Sequence, residues 1–181
     1  MSHAAEKMLA QVLEARREGR PADAKRDLVV AVDVFRKDDN RTDLARALAA
    51  LGQIERDLHN LDAARQHYEE AISIYRAEGN LPKLAHAVRH LGDVHRHAGR
   101  REAAESCYVE ALNFYRNDQR TGALELANAI RSMAILKDDS GETGQARSLW
   151  TEAHGLYAAV NVKEGVAESS RRLARLNQRS E

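Results

Sequence analysis

Two stretches of this chain lie over one another with little adjustment. LARALAALGQIERDLHNLDAARQHYEEAISIYRAEGN begins at Leu44, and LAHAVRHLGDVHRHAGRREAAESCYVEALNFYRNDQR begins 40 residues later at Leu84. The overlay sets Leu51, Gly52, Ala64, Tyr68, Ala71 and Tyr75 on Leu91, Gly92, Ala104, Tyr108, Ala111 and Tyr115. A third copy starts after a further 42 residues at Leu126 and keeps Met133, Ala134, Ala146, Trp150, Ala153 and Tyr157 on the same template. Upstream, Gly19, Ala24, Leu28, Ala31 and Phe35 supply the second half of an earlier copy, and the stretch from Val166 matches only a first half. This periodicity restricts the fold more than any bulk property, because each copy is one small unit whose apolar face must be covered by its neighbours.

Each copy reads as two helices. Leu84, Val88, Leu91 and His95 recur at four, three and four residues, Gly99 breaks the run, and Ala104, Tyr108, Ala111 and Tyr115 resume the same spacing. No strand alternation intervenes. Pro21 and Pro82 stand where helices open, a position at which a missing N–H costs nothing. Gly52, Ala64, Gly92, Ala104, Ala134 and Ala146 let paired helices come close, while Tyr68, Tyr108 and Trp150 fill the space between them. The expectation is an all-α chain: an α-solenoid of four helix-turn-helix repeats, approximately 3–40, 41–80, 81–120 and 121–162, closed by a capping helix at 163–179. These form a single domain.

Composition excludes several functions. Twenty-eight basic residues balance 28 acidic ones, so no bulk charge draws the chain to nucleic acid or to an anionic membrane. Nowhere do about 18 apolar residues run together, as a membrane span requires. Glu6, Lys7 and Glu14 interrupt the N-terminal region where a secretory signal would be apolar, and the single cysteine, Cys107, has no internal partner, so a reducing cytoplasm is the expected location.

The repeated Leu51-Gly52 and Leu91-Gly92 pairs, the small Ala64, Ala104 and Ala146, the aromatic Tyr68, Tyr108 and Trp150, and Ala71, Ala111 and Ala153 together resemble the tetratricopeptide repeat family. The period departs from the usual ~34 residues, and Gln11-Val12 replaces the Leu-Gly pair in the first unit. Longer units of this kind look like those of kinesin light chains, cell-polarity adaptors and some bacterial regulators. The resemblance implies a right-handed superhelix whose concave wall, lined by the first helix of each unit, holds a peptide, and it implies no catalysis. Chaperone-binding members use a Lys and Asn clamp; the corresponding places here hold Leu9, Leu13, Ala50, His86 and His90, so that clamp is absent.

On a helical wheel His86, His90, Asp93 and His97 fall within roughly 60° of one another, opposite the Leu84, Val88, Leu91 stripe, with Arg89 and Arg96 on their flanks. Equivalent positions hold Arg46, Gln53 and Arg56 in the second unit, Asn128 and Arg131 in the fourth, and Arg171 and Arg175 in the last helix. With the family geometry these line the concave face and make it locally positive. Guanidinium groups grip carboxylates in pairs of hydrogen bonds, so the expected ligand is an acidic or extended segment of a partner protein. The bland reading of the same arginines is a solvated face with partners one turn away. Spacing would also allow His86, His90, Asp93 and His97 to hold zinc or nickel, although a polar groove wall suits them better, and their protonation near pH 6.5 would make binding depend on pH.

Other candidates are weaker. Cys107 lacks a placed base, GETGQ at residues 141–145 is a turn without a phosphate-loop lysine, Trp150 and His95 read as core, and Asp38-Asp39 and Asp138-Asp139 read as solvent-facing helix ends. His59, His67 and His154 show no constellation. Ala5, Met8, Leu9, Val12 and Leu13 form an apolar arc that either covers the next helices or pairs with a second copy; in the last helix Val166, Leu173 and Leu176 face inward, and Arg171, Arg172, Arg175 and Arg179 keep it soluble. The sequence therefore points to a non-enzymatic adaptor without a cofactor. A self-associating scaffold comes next and a histidine-based metal protein third.

Overall fold

A computed structural model describes Val12, Glu14 and residues 21–178. Across residues 21–178 eight helices follow one another: α1 (Pro21–Lys37), α2 (Arg41–Asp57), α3 (Leu61–Ala77), α4 (Leu81–His97), α5 (Arg101–Asn117), α6 (Ala123–Asp139), α7 (Thr143–Ala159) and α8 (Lys163–Gln178). There is no strand among the described residues. The first half of the opening unit, with the arc expected to pair with a second copy, lies outside the described residues apart from Val12, which is buried, and Glu14.

The period has a simple origin. Helices α1 to α7 each contain 17 residues. Most are joined by three residues, of which the middle one has positive φ: Asp39, His59, Gly79, Gly99, Gly141 and Asn161. The following residue donates its N–H to a carbonyl five positions back, as Asn60 does to Glu55 at 2.8 Å and Arg100 to His95 at 2.9 Å, which satisfies carbonyls the helix end leaves open. Helix and turn together make a step of 20 residues, and two steps make 40. The exception is the α5–α6 link, residues 118–122, where Asp118 is extended and its carboxylate accepts from the Arg120 side chain. Its two additional residues account for the single 42-residue interval.

Consecutive helices pack antiparallel through the template residues. The aromatic Tyr68, Tyr108 and Trp150 are fully buried. A Cβ built on Gly92 would stand 2.6 Å from the Tyr108 ring, so glycine is what lets α4 and α5 meet around that ring. Trp150 also anchors the cap: Leu176 of α8 is fully buried in the same cluster, and the Arg172 guanidinium lies 5.6 Å from the Trp150 ring centroid.

Helices α2, α4 and α6 also touch one another directly, α2 with α4 and α4 with α6. The row whose members approach more closely is the inside of a curved stack. On the other row a ladder of ion pairs repeats with the units: Arg36–Glu70 at 2.7 Å, Arg76–Glu110 at 2.7 Å and Arg116–Glu152 at 2.9 Å. Exposed pairs of this kind contribute about 0–1 kcal/mol each, so the ladder fixes register more than stability.

Two readings from the sequence need correction. Asp138 does not face solvent; it is buried where α6 meets the cap, and Arg172 and Arg175 of α8 both donate to its Oδ2. His95 is only partly buried, and its Nδ1, although enclosed, has no hydrogen-bond partner. The spacing pattern also gave no sign that Lys137 is buried, with Nζ 2.6 Å from Glu105 and 3.0 Å from Glu142.

Candidate functional site: the inner wall of the solenoid

The most connected point of the inner row is the middle of α4. Asp93 is buried there because α4 and α5 lie so close. Tyr108 donates its hydroxyl to Asp93 Oδ1 at 2.8 Å. On Oδ2 converge His90 Nδ1 at 3.1 Å, Arg56 Nη1 of α2 at 3.4 Å and Arg89 Nη1 at 3.7 Å. Arg89 also places Nη2 2.8 Å from His90 Nε2. Arg56 Nη1 stands 3.0 Å from His90 Nδ1, so guanidinium groups face both ring nitrogens and Nδ1 lies between Arg56 and the Asp93 carboxylate.

Charge follows from this arrangement. Burial, aided by Arg89 and Arg56, pushes the His90 imidazole down to about 4 in spite of the Asp93 hydrogen bond. Burial acts on the Asp93 carboxyl in the opposite direction, but the His90 hydrogen bond, then Arg89 and Tyr108, outweigh it and hold it well below the carboxylate range. His86 lies edge-on to His90 with ring centroids 4.5 Å apart. Although its outer edge opens onto the groove, it is pushed down as well, by the protein that crowds it first and then by His90 and Arg89. Both imidazoles are held below their ordinary value, which moves the expected gain of positive charge to lower pH.

Most of the other expected site residues are also engaged within the molecule. Arg46 pairs with the buried Asp43 at 3.0 Å. Arg56 pairs with Asp57 at 2.9 Å besides its contact with Asp93. Arg96 reaches Asp139 at 3.4 Å and His97 Nε2 at 2.9 Å. Arg131 grips Glu168 of the cap with two hydrogen bonds, 2.6 and 3.0 Å. Arg175 is held by Asp138, Asn128 Oδ1 accepts from Tyr157 at 2.8 Å, and Arg171 is exposed on α8. The wall is therefore not the positive stripe that the arginine positions suggest. It is a chain of internal ion pairs running from helix to helix, in which most guanidinium groups have carboxylate partners. The histidine cluster is no better placed for a metal: both His90 nitrogens are committed, and among the described residues no three His, Cys, Asp or Glu side chains converge on one point.

What stays open lies beside that chain. A cavity of about 470 Å³ sits between α2, α3 and α4, lined by Arg46, Gln53, Tyr68, Tyr75, Lys83 and His86 with small alanines beneath. Pro82 and His86 also border a larger cavity of about 1000 Å³, which runs on past Leu81, Phe114 and Tyr115 to the five-residue α5–α6 link. The two additional residues of that link thus open space on the groove.

The profile of the tetratricopeptide repeat family matches residues 3–77 and 43–117. This chain belongs to that family. Among solved structures, the TPR-like repeats of a Podosopora anserina kinesin light chain, in a variant form, share 14% identity with it at a TM-score of 0.80 over 98% of this chain and 88% of that one. A second structure of those repeats shares 11% identity, at a TM-score of 0.74 over 100% and 99% of the two chains. BtubC (BKLC) from P. vanneervenii shares 16% identity, at a TM-score of 0.59 over 99% and 93%. No curated protein matches the sequence. At these identities the likeness is one of fold, and tetratricopeptide repeats generally bind proteins or peptides.

Three groove residues escaped the helical-wheel reading. Lys83 lies near the start of α4, and Tyr68 and Tyr75 belong to the second helix of a unit, where the template casts them as packing. The signal was available for one of them: Lys83 sits immediately after Pro82 on the first turn, the end of the helix that borders the groove opening.

Proposed function

We propose that this chain is a non-enzymatic adaptor that holds an extended segment of a partner protein along its inner wall, across α2 and α4 and toward the α5–α6 link. One observation carries the reading: two cavities lie side by side on that wall, with Pro82 and His86 bordering both, so together they offer room for an extended chain. Most of the arginines first assigned to the groove, Arg56, Arg96, Arg131 and Arg175, serve as struts between helices. Contact with the partner falls instead to Arg46, Gln53, Lys83 and His86, with Arg89 behind them.

The test is to block the trough without touching the struts. His86→Trp places a bulky ring on an exposed position where the two cavities join. Partners captured from lysate by the wild type should be lost by this variant at unchanged helicity and mass. An unchanged set of captured partners would overturn the reading.

Self-association is a second reading, favoured by one feature of α1. Val30 stands where the outer ladder carries Glu70, Glu110 and Glu152, and it is 55% exposed beside exposed Val29 and Val34. Sedimentation of the wild type against Val30→Glu checks it: a dimer that dissociates in the variant supports it, and a monomer in both removes it.

A further inference from the structure

Resting on that groove reading, we propose that the cavity of about 1000 Å³ bordered by α4, α5 and the α5–α6 link is the subsite for a basic side chain of the bound segment, a Lys or Arg whose stem lies on Leu81, Pro82 and Phe114 and whose charge meets Glu125. The cavity follows from a difference between repeats. In the second repeat the corresponding positions are strapped together: Thr42 of α2 donates its hydroxyl to Glu78, just after α3, at 2.9 Å. Forty residues on, Pro82 has no hydroxyl to donate, and Asp118 is turned to Arg120, whose side chain donates to both carboxylate oxygens at 2.9 Å. The strap is missing where the link is two residues longer, and the space stays open.

The lining selects the guest. Leu81 stands where the second repeat has Arg41, is 44% exposed, and forms an apolar wall with Pro82, Ala85 and Phe114. Asp118 is neutralised by Arg120. That leaves Glu125, at the position that carries Lys83 one repeat earlier. Its carboxylate lies over Gly122, where an added Cβ would stand 2.4 Å from Oε2, and it acts on the Tyr115 hydroxyl, so it sits on the rim between two residues of the lining. Along the inner wall Asp43, Asp93, Asp139 and Glu168 each have an arginine partner, whereas Glu125 has no ion pair among the described residues. A carboxylate beside an apolar wall suits an amphipathic cation, because a Lys or Arg stem covers the hydrocarbon while its head reaches the charge. An acidic guest at this place would meet like charge.

Immobilised degenerate octapeptides test this with the full chain. All are N-acetylated and C-amidated, with uncharged residues at the varied positions and a fixed central Lys, norleucine or Glu. Wild type should be retained roughly fivefold better by the Lys pool than by the norleucine pool, which keeps the stem and lacks the charge; that factor is the upper end of what a partly exposed ion pair supplies. Glu125→Gln should equalise these two pools, and Leu81→Ala should weaken both alike. Glu164→Gln, an exposed acid on the first turn of α8, should leave the preference intact. Equal retention of the Lys and norleucine pools by the wild type overturns the cation subsite and leaves the groove standing. A preference for the Glu pool, or a Lys preference that Glu164→Gln also removes, overturns it too. Absence of retention by every pool removes the groove reading along with it.

Discussion

The second and third repeats use the same template and part ways at one position. In the third, Asp93 faces Tyr108; in the second, Gln53 occupies the corresponding place near Tyr68. A carboxylate enclosed between helices needs compensation, and the third repeat supplies it with Tyr108, His90, Arg89 and the reach of Arg56 from the neighbouring helix. An amide makes no such demand, and the second repeat keeps a cavity and an unpartnered hydroxyl. One substitution within a repeated unit separates a strut from an opening.

Removing the carboxylate should produce the largest difference between the two repeats. Asp93→Ala leaves Arg56 and Arg89 facing each other across a partly dry space, and breaking a buried pair in this way costs about 3–5 kcal/mol. Gln53→Ala, at a half-buried amide, should change stability by no more than about 0.5 kcal/mol. Urea unfolding of both variants measures the contrast, and equal losses would erase it.

Acid should act on the third repeat more strongly than on the second, where burial lowers His67 alone. His90 and His86 have folded values below the ordinary imidazole value, so between that value, about 6.5, and their lowered ones the unfolded chain binds protons that the folded chain refuses. Stability should therefore fall as pH drops below about 6.5. Asp93 is depressed in the folded state, so its contribution is present above about 3.9 and is lost as pH falls through its folded value. Melting temperature against pH should thus decline in two stages. His90→Leu should shrink the first without abolishing it, because His86 remains. A curve flat from pH 7 to 4.5 would contradict the burial that lowers His90.

A smaller effect is expected of the two hydroxyls. Tyr108→Phe strands a lone pair of a buried carboxylate and should cost about 1–3 kcal/mol, whereas Tyr68→Phe removes a group with no partner and should be neutral or slightly stabilising. Paired thermal melts decide it.

The helices, their pairing and their burial pattern were legible because they follow from a period of apolar and small residues, which one sequence displays against itself. The groove's charge was not. A helical wheel shows which side of one helix Arg56, Arg96 and Arg131 occupy, but their partners Asp93, Asp139 and Glu168 lie on the next helix of the row, some 37 to 43 residues away. Whether an arginine is available depends on the offset between helices, which spacing within one helix does not encode. The same limit hid Asp138, whose partners belong to the cap. Asp138 is 42 residues after Arg96, so the sign of the ion-pair row reverses between those repeats. Lys83 was missed for the opposite reason: a lone lysine on a first turn looks like an ordinary solvated charge until the cavity beside it is known.

The finest test makes the second repeat imitate the third. Gln53→Asp offers Tyr68 the acceptor that Tyr108 already has and sets a negative charge in the cavity that also holds Lys83. A new hydrogen bond to an enclosed hydroxyl should offset most of the cost of enclosing the carboxylate, for a net change within about 1 kcal/mol. The signature lies at the tyrosine: Tyr68→Phe, neutral in the wild type, should cost about 1 kcal/mol in the Gln53→Asp background. If Tyr68→Phe stayed neutral in that background, the unpartnered Tyr68 hydroxyl would be an incidental gap, and the template position would not by itself separate a strut from an opening.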